Sequence, residues 1–302
     1  MADTTAEGRG SDRLRHLARP SGAFAMVALD QRESLRTMLG TARGTGAATD
    51  ADLTAFKVMA ARALTPFASA VLLDVDFGLE AVRAAGAIAM RCGLIVAADR
   101  LVQRPGGPVE DTDVDEAVLA DDEIAAVADA YKLLVIWRPG GEARRAAVAR
   151  RFVDRCRRRG RAAIVEGIVR GPDDGPPEPR AHAALVRAAA VELASFGPDL
   201  YKAEVPTLGA ADDDTIRQAA VTITDAIPCP WVVLSNGTPV ERFDTATLAA
   251  CRGGASGFLA GRAIWTASLA APDPVAHLET IAAPRFARLA RAVDDAAPQP
   301  RG

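Results

Sequence analysis

The sequence has few cysteines and histidines. In 302 residues there are four cysteines, Cys92, Cys156, Cys229 and Cys251, and no two form a CxxC pair. That argues against a thiolate metal site and a disulfide frame, and for a reducing cytoplasm. The three histidines, His16, His182 and His277, show no HxxxH spacing. A zinc site is therefore not expected, and neither is any other metal or cofactor. Aromatic residues make up only 5%, and 39 acids face 36 lysines and arginines. A nucleic-acid surface needs the opposite balance. No apolar run reaches the roughly 18–20 residues of a membrane span. The opening "MADTTAEGRGSDRLRHLARPSG" is polar, without the apolar segment of a signal peptide. No GxGxxG follows the first apolar run, which weakens a doubly wound dinucleotide-binding fold.

What is present is a regular alternation. Eight short apolar runs read as strands: 24–29, 70–74, 94–98, 132–137, 162–169, 200–205, 231–235 and 257–261. Alanine-rich amphipathic stretches separate them, among them 142–159, 180–195, 212–226 and 239–252. Strands alternating with helices imply parallel pairing through right-handed crossovers. Eight such units in a chain of this length predict an α/β fold, a single-domain (β/α)8 TIM barrel. The expected limits are a leader over 1–20, the barrel over 21–292 and a disordered tail over 293–302. Two Pro/Gly/acid-rich loops, 104–117 and 171–180, follow strand C-termini, the end of a barrel where substrates bind.

Side chains alternate along a strand, so every second residue shares a face. The sixth run, "LYKAEV", puts Lys202 in line with Leu200 and Glu204. The fifth puts Glu166 with Ile164, Ile168 and Arg170; the fourth puts Lys132 with Leu134, Ile136 and Arg138. The first aligns Phe24, Met26, Ala28 and Asp30. If these faces point inward, the barrel holds ionisable groups on four strands, each costly to bury before pairing. One reading is a salt-bridged layer, Lys132–Glu166–Lys202–Glu204, that only satisfies itself. The other is chemical. Desolvation and a neighbouring cation, here Lys132, favour a neutral Lys202 amine, and a neutral amine in a dry pocket attacks ketones. Glu166 could then shuttle protons.

The seventh and eighth strands end in "LSNG" and "GFLAGRA". Loops there, with a helix N-terminus, are the common barrel phosphate site. Ser235, Gly237, Gly261 and Arg262 are its candidate residues. A second anion patch is suggested by Gln31 and Arg32 after the first strand and Arg170 after the fifth. A solvated helix start is the plain alternative for Arg32.

With these residues placed, the sequence resembles a known family: the class I aldolases typified by tagatose 1,6-bisphosphate aldolase and 6-deoxy-6-sulfofructose-1-phosphate aldolase. The resemblance runs over about residues 20–290. It is carried by "GAFAMVALDQRES", "LTPFASAVLLD", "KLLVIWRP", "IVEGIVRGP", "DLYKAEVP", "PWVVLSNG" and "GASGFLAGRAIW", in order. It implies that Lys202 is the Schiff-base lysine, Glu166 the acid/base and Lys132 the second active-site lysine. Asp30 and Gln31 match strand-one site residues. Ser235, Gly237, Gly261 and Arg262 match the surroundings of dihydroxyacetone phosphate; Asn236, a departure from the expected small-residue turn, is counted with them as a substrate-binding candidate. "VIWRP" and "VRGP" look more like the sulfosugar branch, which would make the substrate 6-deoxy-6-sulfofructose 1-phosphate. A bisphosphate is the alternative within the class. A barrel that binds sugar phosphate without turnover is the alternative outside it. The expected partner is a small phosphorylated sugar, without nucleic acid or membrane, and barrels of this kind often form homo-oligomers.

Overall fold

The computed structural model describes residues 13–44, 46–104, 107–171 and 178–298. Eight parallel strands close into a barrel: β1 (Phe24–Leu29), β2 (Ala70–Leu73), β3 (Gly93–Ala97), β6 (Ala130–Trp137), β7 (Ala162–Val169), β8 (Leu200–Glu204), β9 (Trp231–Leu234) and β10 (Gly257–Ala260). Between β3 and β6 the chain adds an antiparallel hairpin, β4 (Asp99–Gln103) and β5 (Val109–Val114). Every barrel strand is buried along its length. This is why each reads as a continuous apolar run rather than as an alternating one.

Helices on the outside connect the strands. The first half carries α1 (Glu33–Arg43), α2 (Asp50–Leu64), α3 (Leu79–Ala84), α4 (Glu116–Ala120), α5 (Asp122–Val127) and α6 (Glu142–Arg158). The second half carries α7 (Pro179–Ala194), α8 (Asp213–Thr224), α9 (Val240–Arg252), α10 (Arg262–Leu269), α11 (Pro274–His277) and α12 (Ala283–Ala296). Their starts follow capping chemistry. Thr49 and Asp52 form a reciprocal capping box on α2, and Asp212 accepts from the Thr215 N–H at α8.

The barrel interior is layered, as close packing of inward side chains requires. Its lower part is apolar: Met26, Leu72, Ile95, Ile164, Leu200, Val232 and Leu259 pack together. Leu14 and Leu17 join this cluster. The expected leader is thus packed against the barrel from at least Leu14; residues 1–12 lie outside the described part. At the other end, α12 continues to Ala296, so the helix runs four residues into the expected tail. A small upper cluster, Leu134, Ile136, Ile168 and Leu234, takes Leu101 and Val109 of the hairpin against it. The charged residues lie between the two apolar layers.

The 104–117 segment is therefore not all loop: it carries β5 of the hairpin over Val109–Val114 and the start of α4. Its outer edge is tied to α6 by Arg144–Asp111 at 2.7 Å and Arg155–Glu116 at 2.7 Å. Thr112 donates to the Leu134 carbonyl at 2.5 Å. Most of the 171–180 stretch lies outside the described residues.

Candidate active site

Three adjacent strands bring the two lysines and the glutamate together. In the parallel registers Lys132 of β6 pairs with Ile164 of β7, and Glu166 of β7 pairs with Lys202 of β8. Inward alternation then points all three into one cavity of about 220 Å³. Lys202 Nζ lies 2.9 Å from Glu166 Oε2, and Lys132 Nζ lies 3.4 Å from the same oxygen. Lys132 also sits 2.7 Å from Asp30 Oδ2 and 2.7 Å from Asp99 Oδ2.

The two lysines are therefore unequal. Burial alone would push the Lys132 ammonium down, but Asp30, Asp99 and Glu166 outweigh it and hold Lys132 well above the usual lysine range. Lys132 is locked as a cation. Burial likewise favours protonated Asp30, but Lys132 and then Lys202 overcome it, keeping Asp30 well below the usual carboxylate range. A carboxylate held ionised in this way is a poor proton donor. Lys202 faces one carboxylate oxygen, shared with a fixed cation.

Asp99 was not expected. It continues the inward face of Ile95 and Ala97, one residue beyond the run read as the third strand. Besides Lys132 it accepts from the Leu134 N–H at 3.1 Å. It also engages Arg32, whose Nη1 donates to the Asp99 carbonyl at 3.1 Å and whose Nη2 lies 3.4 Å from Oδ1. Arg32 Nε lies 3.1 Å from Asp76. Burial would lower the Arg32 pKa, but Asp99, Asp76, Asp74 and Asp30 raise it. Arg32 lines the cavity, with Nε toward Asp76, Nη2 toward the Asp99 carboxylate and Nη1 on the Asp99 carbonyl. It is not a solvated helix start, and its ion pairs with Asp76 and Asp99 orient it at the cavity wall. Glu204 is also not part of the lysine layer. Its Oε1 accepts from Asn236 and its Oε2 from the Val169 N–H.

At the other side of the cavity, Ser235, Asn236, Gly261 and Arg262 form the wall, and Gln31 and Arg170 line it as well. The Ala263 N–H at the start of α10 donates to Ser235 Oγ at 3.4 Å. Trp265 Nε1 donates to the Ala28 carbonyl at 3.0 Å and pins α10 to β1. A Cβ on Gly261 would lie 2.5 Å from that same carbonyl, so only glycine fits there. Burial lowers the Arg262 pKa, and Arg170 adds to that against the pull of Glu166, Asp30 and Glu204. Arg170, grouped with Arg32 from the sequence, is thus within electrostatic reach of Arg262. Gly237 is not part of the cavity lining. It turns at φ +71°, packed so that a Cβ would lie 2.7 Å from Leu208.

The barrel thus places a buried lysine pair, a shared glutamate and a polar wall after β9 and β10 around one cavity. A model of the DeoC/LacD family aldolases matches residues 24–267. The chain belongs to the DeoC/LacD family of aldolases. It is 29% identical over 278 residues to a tagatose 1,6-diphosphate aldolase of Listeria monocytogenes serotype 4a (strain HCC23), covering 84% of this chain and 80% of that one. It is 28% identical over 271 residues to tagatose 1,6-diphosphate aldolase 2 of Streptococcus pyogenes serotype M3 (strain ATCC BAA-595 / MGAS315), covering 82% of each. Among solved structures, it resembles fructose-bisphosphate aldolase from Plasmodium falciparum, in complex with TRAP and a small-molecule inhibitor. The TM-score is 0.75 at 15% identity, over 98% of this chain and 96% of that one, a likeness of fold. The enzyme is a carbon–carbon lyase. Among the described residues no helix is long and apolar enough to cross a membrane.

Proposed function

We propose that this aldolase cleaves a ketose 1,6-bisphosphate of the tagatose type, or its fructose epimer, through a Schiff base on Lys202. The observation that carries the mechanism is the inequality of the lysines. Lys132 faces three carboxylates, while Lys202 shares one oxygen of Glu166. The neutral Lys202 amine attacks the C2 ketone, its proton having passed to Glu166. Water leaves the carbinolamine and an iminium forms. The C3–C4 bond breaks as a base, Glu166, takes the C4 hydroxyl proton, and the electron pair flows into the iminium. Glyceraldehyde 3-phosphate departs. The enamine is protonated at C3, and hydrolysis frees dihydroxyacetone phosphate and Lys202. Lys132 and Asp30 stay charged throughout and position substrate hydroxyls.

Ser235, Gly261 and Arg262 hold the C1 phosphate in this reading, with Gln31 and Arg170 further along the substrate. The names of the relatives support the bisphosphate. They give no support to the sulfosugar that "VIWRP" and "VRGP" suggested.

The test is dihydroxyacetone phosphate release, with a chelator present, from tagatose 1,6-bisphosphate, fructose 1,6-bisphosphate and 6-deoxy-6-sulfofructose 1-phosphate. A bisphosphate is expected to give the highest kcat/KM. A tenfold preference for the sulfonate, about 1.4 kcal/mol of transition-state discrimination, would overturn the substrate. Lys202→Met is expected to lower kcat by at least about a thousandfold with the fold intact. An active Lys202→Met enzyme would overturn the mechanism.

A further inference from the structure

The strand that carries Lys202 ends two residues later in Glu204, which is 2% exposed. A guanidinium only donates hydrogen bonds, whereas a side-chain amide both donates and accepts. Glu204 Oε2 takes the Val169 N–H at 2.8 Å, with His182 Nε2 behind it at 3.5 Å. Glu204 Oε1 takes the Asn236 amide at 2.7 Å. Asn236 thus turns its NH2 to Glu204 and its carbonyl the other way. There it accepts from Arg262 Nη2, the one hydrogen bond of that guanidinium among the described residues.

We propose that Asn236, oriented by Glu204, is a positioning residue that holds Arg262 in place for the substrate phosphate without neutralising it. A neutral carbonyl orients the guanidinium and leaves the rest of its donor fork open. An aspartate at 236 would orient it equally well but form an ion pair that competes with phosphate. It would also set one carboxylate against another at Glu204. The asparagine that departs from the expected small-residue turn therefore has a physical role. The proposal rests on the reading of Arg262 as a C1-phosphate ligand.

The experiment compares trapping of dihydroxyacetone phosphate and of dihydroxyacetone. Each is incubated with enzyme and borohydride, and the concentration for half-maximal covalent adduct is measured by intact mass. Arg262→Ala is expected to raise that concentration for dihydroxyacetone phosphate and to leave dihydroxyacetone unchanged. If it does not, the phosphate reading fails, and the proposal with it. Asn236→Ala is expected to raise the value for dihydroxyacetone phosphate by about tenfold, the usual scale for one hydrogen bond to a charged group. In the Arg262→Ala background it is expected to add nothing. Asn236→Asp is expected to be worse than Asn236→Ala, and Glu204→Gln to weaken phosphate discrimination in the same direction. If Arg262→Ala has its effect but Asn236→Ala stays within twofold of wild type, the proposal is overturned and the phosphate reading stands. If Asn236→Ala raises both ligands equally, its role is structural and the proposal is overturned.

Discussion

Two buried lysines of this protein meet different fates. Lys132 stands inside the barrel at 2% exposure, and Lys57 stands on α2, outside it, at 0%. Lys57 makes a contact with Asp74 and lies 5.9 Å from the ring centroid of Phe77. Burial pulls the Lys57 ammonium down despite Asp74, and it pushes Asp74 up despite Lys57. The pair drifts toward neutrality. Lys132 is as dry, yet is driven the other way by three carboxylates. The number of facing carboxylates, not burial, separates the two. Lys202 has one carboxylate oxygen at 2.9 Å, which it shares with Lys132. Under the proposed function Lys202 is the nucleophile and Lys132 is not.

The largest effect expected from breaking this contrast is at Lys132. Lys132→Met leaves Asp30, Asp99 and Glu166 facing one another. It should cost about 3–5 kcal/mol in urea unfolding at pH 8, the scale of a broken buried ion pair. Lys57→Met should cost less, about 1–3 kcal/mol, because a lone Asp74 can take up a proton. That loss should shrink as pH falls. The orphaned carboxyl would have a folded pKa above its unfolded one, so the folded state gains protons first. Equal losses for the two variants, unchanged with pH, would remove the distinction.

A smaller effect is expected on the acid limb of stability. Asp30 titrates well below the usual range when folded, so its contribution is complete above the unfolded value of about 4 and is lost as pH falls below it. Asp30→Asn should flatten that limb. Lys132 works in the opposite direction: its contribution is complete below about pH 10 and is lost only at higher pH. The smallest effect belongs to exposed pairs. Arg155→Ala removes contacts to Glu116 at 41% and 42% side-chain exposure, and should cost under about 1 kcal/mol and less in high salt.

The barrel was legible because eight buried parallel strands leave eight apolar runs, and their limits fall within two residues of the observed ones. Alternation also placed Lys132, Glu166 and Lys202 on inward faces. It failed where the chain changed direction. The apolar run of the third strand ends at Ala98, so it does not include Asp99, next on the same face, although "IVAAD" carries the alternation one step further. The hairpin was hidden by its polar edge strands and was read as a loop; alternation in "DRLVQ" and "VEDTD" on either side of "PGG" was the available signal. Lys57 left no local trace, since a lysine on an amphipathic helix ordinarily faces water. A sequence also does not show that Arg32 pairs with Asp76 and Asp99, which lie far from it along the chain. The left-handed turn at Gly237 is legible in "LSNG", but its packing against Leu208 is not.

The most direct test of the account is to map the site of covalent trapping. Enzyme is held with dihydroxyacetone phosphate, reduced with borohydride, digested and sequenced by mass spectrometry. The account predicts one reduced adduct, on the peptide carrying Lys202, with Lys132 and Lys57 unmodified. An adduct on Lys132, or none on Lys202 under conditions where cleavage proceeds, would contradict it.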